Sequence, residues 1–265
     1  MPIVLLTDFG TSDGYVGSLK GVLASMVPEV PVIDLGHDLP PFALPHAAYV
    51  LNSAYRYFPT GSIFVTVVDP GVGGERRAVL IETERYFFLA PDNGVLAPCL
   101  EEQTIQRMVE LNHAKYFLKP TSGTFHGRDV FAPIAAHLSR GVPVQNLGEP
   151  ITEFCPLPIP HPRVQGKSLE GNIWTFDRFG NAITTLRRAH IEAHFLQTPW
   201  QVTFPQRELP PLHRLSTHYA SGAPEDTLML YGSGDNLEIA INCGSAQEHL
   251  KLKVGDPILL RPLNA

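Results

Sequence analysis

The chain has 265 residues, of which 44% are hydrophobic and 17% are charged, and its formal net charge is −6. This length is sufficient to bury one large core or two smaller ones. The acidic balance, with a sequence pI near 6.0, provides no basic surface for a nucleic-acid backbone, so we expect no nucleic-acid partner.

The composition also bears on the cellular compartment. Cys99, Cys155 and Cys243 lie far apart and form no CxxC pair, a usage typical of a reducing cytoplasm. No basic region and long apolar stretch precede the first apolar run, so no export signal is expected. The uncharged stretch at residues 39–55 is interrupted by three prolines, which excludes a membrane span there. We therefore expect a cytoplasmic protein without membrane contact.

The first half of the chain alternates between apolar runs of strand length and segments with apolar residues at helical spacing. Uninterrupted β-branched runs such as residues 62–68 are typical of strands buried on both faces. Strands separated by helices predict a mostly parallel central sheet flanked by helices. We expect strands at residues 3–6, 31–35, 62–68, 78–81 and 86–89, and helices at residues 14–26, 43–58 and 129–138.

The composition changes at residues 150–163, where five prolines predict an extended connector. Helical periodicity then disappears, and short apolar runs alternate with polar turns, a pattern typical of a small all-β barrel. We therefore predict an α/β domain at residues 1–155 and a β-barrel domain at residues 164–265. The strands expected in the second domain are residues 172–176, 182–186, 201–204, 228–231, 237–242 and 258–260.

The first polar cluster, TDFGTSDG at residues 7–14, follows the first strand. Ligands of open α/β sheets bind beyond the carboxyl ends of strands, so Asp8 is a candidate for binding the two hydroxyls of a ribose. The alternative is that Asp8 or Asp13 caps the next helix. Residues 10–14 also match the G-x-S-x-G elbow of serine hydrolases, but the match follows the first predicted strand, so we expect no upstream strand-loop to complete an oxyanion hole.

The second cluster follows the most apolar strand and reads VDPGVGGERR at residues 68–77. Its glycines allow the backbone to approach a ligand closely, and it places Asp69 near Arg76. It lacks the Gly-Lys-Ser/Thr ending of a phosphate-binding loop. Spacing alone slightly favours an ordinary turn with a surface ion pair of little energetic weight.

The third cluster, TFHGRD at residues 124–129, begins a predicted helix. His126 can serve as a hydrogen-bond donor, acid or base near neutral pH, although a lone histidine at a helix start more commonly bonds to backbone. None of the eleven histidines shows a zinc-ligand spacing, so no metal is expected. The polar turns at residues 177–182 and 231–238 are, on pattern alone, ordinary hairpin turns.

Taken together and in this order, the motifs resemble those of the S-adenosyl-L-methionine (SAM) hydroxide adenosyltransferases, adenosine-forming hydrolases related to the fluorinating and chlorinating enzymes. The resemblance covers almost the whole chain. Its motifs are TDFG, VDPGVGxxRR, PDNGVL at residues 91–96, TFHGRD, DRFGN at residues 177–181 and SGxxLEIAxNxGSA ending at residue 246.

The resemblance implies an N-terminal α/β domain, a C-terminal β-barrel and a homotrimer whose active sites lie between neighbouring subunits. It implies hydrolysis of SAM to adenosine and L-methionine, with no cofactor. The family's water-activating trio falls on Asp69, Arg76 and His126. Asp8 would hold the ribose hydroxyls.

The resemblance also assigns the other substrate contacts. Asp177 and Ser233 would hold the amino and carboxylate ends of methionine. Asn181 and the backbone of Asn242 and Cys243 would face the adenine. Glu238 completes the predicted substrate-binding set.

Two alternative functions, a halogenating enzyme and a ligand sensor, share much of this pattern. A halogenating enzyme is disfavoured, because the halogenating relatives carry a tyrosine where this chain has Asp69, and a carboxylate repels halide. A sensor that binds SAM or adenosine without turnover would share most of the binding residues. Either Asp69 or His126 is left as the group that takes the proton from water.

Overall fold

The computed structural model describes residues 1–157 and 161–263. The chain divides into two compact units, Met1–Pro158 and Ile159–Ala265. Residues 151–157 of the predicted connector contain no helix or strand, whereas residues 158–160 of the connector lie outside the described part. Residues 264–265 of the predicted second domain also lie outside it. No helix in the described part of the chain is long and apolar enough to cross a bilayer.

The first unit contains seven strands and four α-helices among its described residues. The strands are β1 (Ile3–Thr7), β2 (Val32–Gly36), β3 (Ile63–Val67), β4 (Ala78–Thr83), β5 (Phe87–Pro91), β6 (Ile105–Glu110) and β7 (Glu149–Pro150). The helices are α1 (Tyr15–Met26), α2 (Leu44–Ala54), α3 (Ala97–Leu100) and α4 (Ala132–Ser139). A π-helical turn, Gly127–Phe131, precedes α4.

The seven strands form one sheet in the order β2-β1-β3-β5-β4-β6-β7. The pairs β1–β2, β1–β3 and β3–β5 are parallel, whereas β4–β5, β4–β6 and β6–β7 are antiparallel. The prediction of a mostly parallel sheet is therefore wrong for half of the pairings. The few residues between β4 and β5 cannot hold a crossover helix, so these strands pair as a hairpin.

The central strands β1 and β3 of the first sheet are buried on both faces. Ile63 and Val65 join the core that also contains Leu19 and Leu23 of α1. Phe64 lies between them in sequence and stacks on Phe88 with ring centroids 5.2 Å apart, because successive side chains of a strand point to opposite faces. Burial on both faces explains why β3 reads as an uninterrupted apolar run.

The described part of the second unit contains eight strands and two short helices. The strands are β8 (Arg163–Gln165), β9 (Ser168–Phe176), β10 (Ala182–Arg187), β11 (Trp200–Thr203), β12 (Leu215–Ser216), β13 (Thr227–Tyr231), β14 (Asn236–Ile241) and β15 (Pro257–Pro262). The helices are α5 (Arg188–Phe195) and α6 (Ala246–His249).

The strands of the second unit pair in the order β11-β15-β9-β10-β14-β13-β12, and β8 also pairs with β9. The prediction of an all-β barrel is not confirmed, because α5 follows β10 directly and buries Ile191 and Phe195. These two side chains are four residues apart and therefore lie on one face of the helix. A mixed but mainly β unit is the architecture that the structure supports.

Candidate active site

The parallel half of the first sheet brings the ends of β1 and β3 to one edge. Thr7 is in register with Val67 in the parallel pair, so the loops that carry Asp8 and Asp69 leave the sheet side by side. A cavity of about 570 Å³ lies there. Its wall includes Asp8, Asp69, Phe125, His126 and Arg128.

Asp69 and Arg76 form a two-pronged ion pair at this cavity. Arg76 Nε donates to both carboxylate oxygens of Asp69, at 3.1 and 2.9 Å, and Arg76 Nη2 donates to Oδ2 at 2.5 Å. The side chain of Arg76 is only 12% exposed, and that of Asp69 is only 5% exposed. The alternative of a surface ion pair is therefore wrong, since a buried bidentate pair is fixed in orientation and is weakly screened by salt.

Arg76 also joins His126 to this pair. The distance from Arg76 Nη2 to His126 Nδ1 is 2.7 Å. A guanidinium can only donate, so Nδ1 must accept and the ring proton resides on Nε2. The side-chain partner of His126 is thus an arginine, in contrast to the backbone partner that is common at helix starts.

The surroundings of His126 keep its imidazole neutral. Burial and the nearby positive charge of Arg76 lower the pKa of His126 from its ordinary value of 6.5, while Asp69 and Asp129 oppose this shift. Because the lowering effects dominate, the ring is uncharged at neutral pH and can accept the hydrogen bond from Arg76.

Two glycines let distant loops meet at this cavity. Gly73 has a φ of +76°, and a Cβ at this position would lie 2.2 Å from the carbonyl oxygen of Gly123. The loop carrying Asp69 therefore packs directly on the loop that leads to His126. A Cβ on Gly127 would lie 3.2 Å from the ring of Phe9, so the first turn after His126 is also tightly packed. Such π-turns are frequent at functional sites.

The structure separates the two interpretations of the first cluster. Gly14 is the N-cap of α1, and no side chain among the described residues caps that helix, so the capping alternative is wrong for both Asp8 and Asp13. The Asp8 carboxylate instead lines the cavity, and its Oδ2 accepts a hydrogen bond from the backbone N–H of Phe42 at 2.8 Å. Phe42 adopts a φ of +64° and is 67% exposed.

A second cavity of about 490 Å³ lies in the second unit. Of the predicted substrate-binding residues, Asn181 and Cys243 line it, together with Phe179 and Tyr219. A Cβ on Gly180 would lie 2.1 Å from Ser245 Oγ. The DRFGN turn therefore packs closely on the segment that follows Cys243.

The other predicted residues of this unit mainly shape its turns. Asp177 accepts hydrogen bonds from the backbone of Phe179 and Asn181, both at 2.9 Å, and from Asn181 Nδ2 at 2.8 Å. Asn242 Nδ2 donates to the Gly222 carbonyl at 2.8 Å, and Ser233 is an exposed residue of the turn before β14. The interpretation of residues 177–181 as a hairpin turn is thus correct for their local structure.

Glu238 is buried within this unit. Its Oε2 accepts a hydrogen bond from Tyr219 Oη at 2.8 Å. Tyr219 lines the second cavity, so Glu238 is connected to that cavity by this hydrogen bond. Burial raises the pKa of Glu238, the hydrogen bond from Tyr219 opposes this shift, and the charge of Asp177 adds to it.

Sequence reasoning missed several residues that line the cavities. Tyr219 lies in an irregular segment with no periodic pattern. Phe42 follows two prolines, which indicate a turn but not a cavity wall. Arg128 belongs to the TFHGRD motif, in which the resemblance assigns a role only to His126. Among the residues that the structure describes, no group of three or more His, Cys, Asp or Glu side chains is placed to hold a metal ion.

Comparisons with known proteins cover both units. The SAM hydroxide adenosyltransferase N-terminal domain family matches residues 3–148, and the C-terminal domain of the same family matches residues 171–259. The chain is 40% identical to an (R)-S-adenosyl-L-methionine hydrolase of Thermus thermophilus over 98% of this chain and 99% of the relative.

More distant relatives and solved structures agree with these matches. A fluorinase of Actinopolyspora mzabensis is 26% identical over 96% of this chain and 94% of its own. The crystal structure of an uncharacterized conserved protein from Thermotoga maritima superposes with a TM-score of 0.88 at 32% identity, over 98% of this chain and 99% of that chain.

Proposed function

Since the chain belongs to the SAM hydroxide adenosyltransferase family, we propose that it hydrolyses SAM to adenosine and L-methionine. Water attacks C5′ of the adenosyl group, the C5′–S bond breaks with its electron pair moving to sulfur, and one proton is released. The observation that carries this proposal is the hydrogen-bonded set of Asp69, Arg76 and His126 at the cavity.

The hydrogen bonds define what each member of the trio offers to a water molecule. His126 presents the N–H of Nε2, since its Nδ1 already accepts from Arg76. Asp69 retains acceptor capacity on Oδ1, because each carboxylate oxygen has two lone pairs. A water that donates to Asp69 and accepts from His126 is oriented for attack. Asp69 is then the proton acceptor, and His126 stabilises developing hydroxide character.

Sulfonium is a good leaving group, so the catalytic requirement is positioning and not protonation of sulfur. Holding the water oxygen in line with the C5′–S bond can contribute about 7–11 kcal/mol. A dry cavity adds to this, because attack of hydroxide on a sulfonium removes charge. The carboxylate of Asp69 in the cavity wall repels halide ions, which favours water as the nucleophile over chloride or fluoride.

The test is incubation of the purified protein with SAM in buffer without halide, followed by chromatography for adenosine and methionine. We expect equal amounts of both products and their loss in His126→Ala. A sensor would show thermal stabilisation by SAM without either product. Products that appear only after halide is added would contradict the proposal.

We further propose that the protein is a cytoplasmic homotrimer that needs no metal or organic cofactor. Each active site then combines the first-unit cavity of one subunit with the second-unit cavity of its neighbour. Large exposed aromatic side chains at both cavities support an interface there, since Phe42 is 67% and Phe179 is 76% exposed.

Mixing two inactive variants tests this assembly. His126→Ala removes the first-unit function, and Asn181→Ala removes a second-unit contact. If sites combine two subunits, co-refolded mixtures contain some intact sites and regain part of the activity. Sites built within one chain would stay inactive in the mixture, and sedimentation of a monomer would also contradict the proposal.

A further inference from the structure

Arg128 is the only lysine or arginine among the described residues that line the first cavity, whose acidic lining residues are Asp8 and Asp69. Its side chain is 37% exposed, so its guanidinium remains accessible from the cavity. None of the roles assigned above uses this residue.

The guanidinium of Arg128 is held in a fixed orientation. Arg128 Nε donates to Asp129 Oδ1 at 2.6 Å, and Nη2 donates to Oδ2 at 2.9 Å. The side chain of Asp129 is only 2% exposed. The guanidinium also lies over the ring of Phe125, with Cζ 4.9 Å from the ring centroid, an attractive cation–π geometry.

Asp129 ties this arrangement to the rest of the cavity wall. Its Oδ2 also accepts a hydrogen bond from the backbone N–H of Ser122 at 2.8 Å, and Ser122 lines the same cavity. Within the described part of the chain, Arg128 Nη1 has no hydrogen-bond partner. The edge of the guanidinium that carries Nη1 is thus the part available to a ligand.

The charges of the substrate identify the group that fits this edge. SAM carries a positive sulfonium, a positive ammonium and a single anionic group, the methionine carboxylate. A guanidinium repels the first two and binds a carboxylate through charge-assisted hydrogen bonds. The hydroxyl of Ser233, which the resemblance assigns to this end of the substrate, is neutral and cannot compensate the charge.

Resting on the proposed function, we infer that Arg128 binds the carboxylate of the methionine moiety and makes the site specific for adenosyl sulfoniums that carry a carboxylate. Asp129 is its positioning residue. The sulfonium and the ribose then lie toward the acidic side chains of the cavity.

The test compares SAM with its carboxamide, in which a neutral amide replaces the carboxylate. A hydrogen bond to a charged group is strong enough that the kcat/KM of the wild-type protein for SAM should exceed that for the carboxamide by roughly 10- to 100-fold. In Arg128→Gln the ratio of these two kcat/KM values should fall to near one, while the kcat/KM for the carboxamide itself should change little. Arg107→Gln is the matched control, because Arg107 pairs with Glu82 at 2.8 Å away from the cavity; it should keep the full preference.

Two further measurements test the role of Arg128. Arg128→Gln combined with Asp129→Asn leaves no buried carboxylate unpaired, and should show the same loss of preference if the single variant does not fold. The dissociation constants of S-adenosyl-L-homocysteine and its carboxamide report the same preference without turnover. If Arg128→Gln weakens the binding of the carboxylate ligand and its carboxamide equally, or leaves the preference for the carboxylate unchanged, Arg128 does not bind the carboxylate. Failure of the wild type to hydrolyse SAM, with the binding preference intact, would remove only the proposed function.

Discussion

Arg76 Nη2 and His126 Nδ1 lie 2.7 Å apart, and this contact determines which nitrogen of His126 carries the proton. Since arginine cannot accept, Nδ1 must be unprotonated and Nε2 must carry the hydrogen. The Nε2–H of His126 is therefore free to donate, and in the proposed mechanism Asp69 is the group that accepts the proton from water.

The pH dependence of activity should follow from this contact. Burial and Arg76 lower the pKa of His126 below 6.5, so the ring is neutral at pH 7 and activity should fall only as the pH drops through that lowered value. Arg76→Gln removes a lowering influence and should raise the pKa. Proton NMR titration of the His126 ring measures both. A pKa above 6.5 in the wild type, or a downward shift in the variant, would contradict the assignment.

Asp69→Asn tests the acceptor. An amide cannot take a proton from water, and general-base contributions are about 10²- to 10⁴-fold, so kcat should fall by roughly that factor. The KM for SAM should change little, because the trio faces the water more than the substrate. Steady-state kinetics, with thermal stabilisation by adenosine as a check on the fold, provides the measurement. Undiminished kcat would exclude Asp69 as the base.

Gly73→Ala tests the close approach of the two loops. A left-handed φ costs a residue with a Cβ about 1–2 kcal/mol, and at Gly73 the Cβ would also collide with the Gly123 carbonyl. Gly141 is a matched control, because its φ is +85° and no atom of the described residues lies within 4 Å of a Cβ added there. We expect Gly141→Ala to lower the free energy of unfolding only by the cost of the left-handed φ. Gly73→Ala should lower the free energy of unfolding further and should also lower activity. Equal losses in denaturant unfolding would show that the loops do not need this contact.

Glu238→Gln tests the buried carboxyl group. The folded protein raises the pKa of Glu238 above its ordinary value of 4.5. Ionisation of Glu238 is thus more costly in the folded state than in the unfolded state. The free energy of unfolding therefore falls as the pH rises above 4.5 and through the raised pKa of Glu238. A glutamine stays neutral and its carbonyl can still accept from Tyr219. The variant should be more stable than the wild type at pH 7 and lose this advantage below pH 4.5. A less stable variant at pH 7 would mean that the ionised carboxylate is stabilised.

The sequence predicts β1, β3 and α1 closely, because their apolar patterns are long and regular. It does not predict β6 or α5, since neither has enough buried residues to create a pattern: α5 buries only Ile191 and Phe195. The hairpin of β4 and β5 was detectable in principle, because their short connection excludes a parallel crossover.

The candidate site shows a similar division. Spacing alone favours a surface ion pair for Asp69, and only the resemblance groups Asp69 with Arg76 and His126. The physical reason is that Asp69 and His126 meet through packing of Gly73 on Gly123, a long-range contact that leaves no local pattern. The positions of Tyr219 and Arg128 also carry no local sequence signal, since only the fold brings these residues to a cavity.

Attack of water at C5′ is tested most directly by hydrolysis of SAM in ¹⁸O-labelled water, with mass spectrometry of both products. We expect one ¹⁸O atom in the 5′-hydroxyl group of adenosine, none in methionine, and loss of labelled product in His126→Ala. Adenosine without the label, or labelled adenosine formed equally by the variant, would contradict attack of water at C5′ by this site.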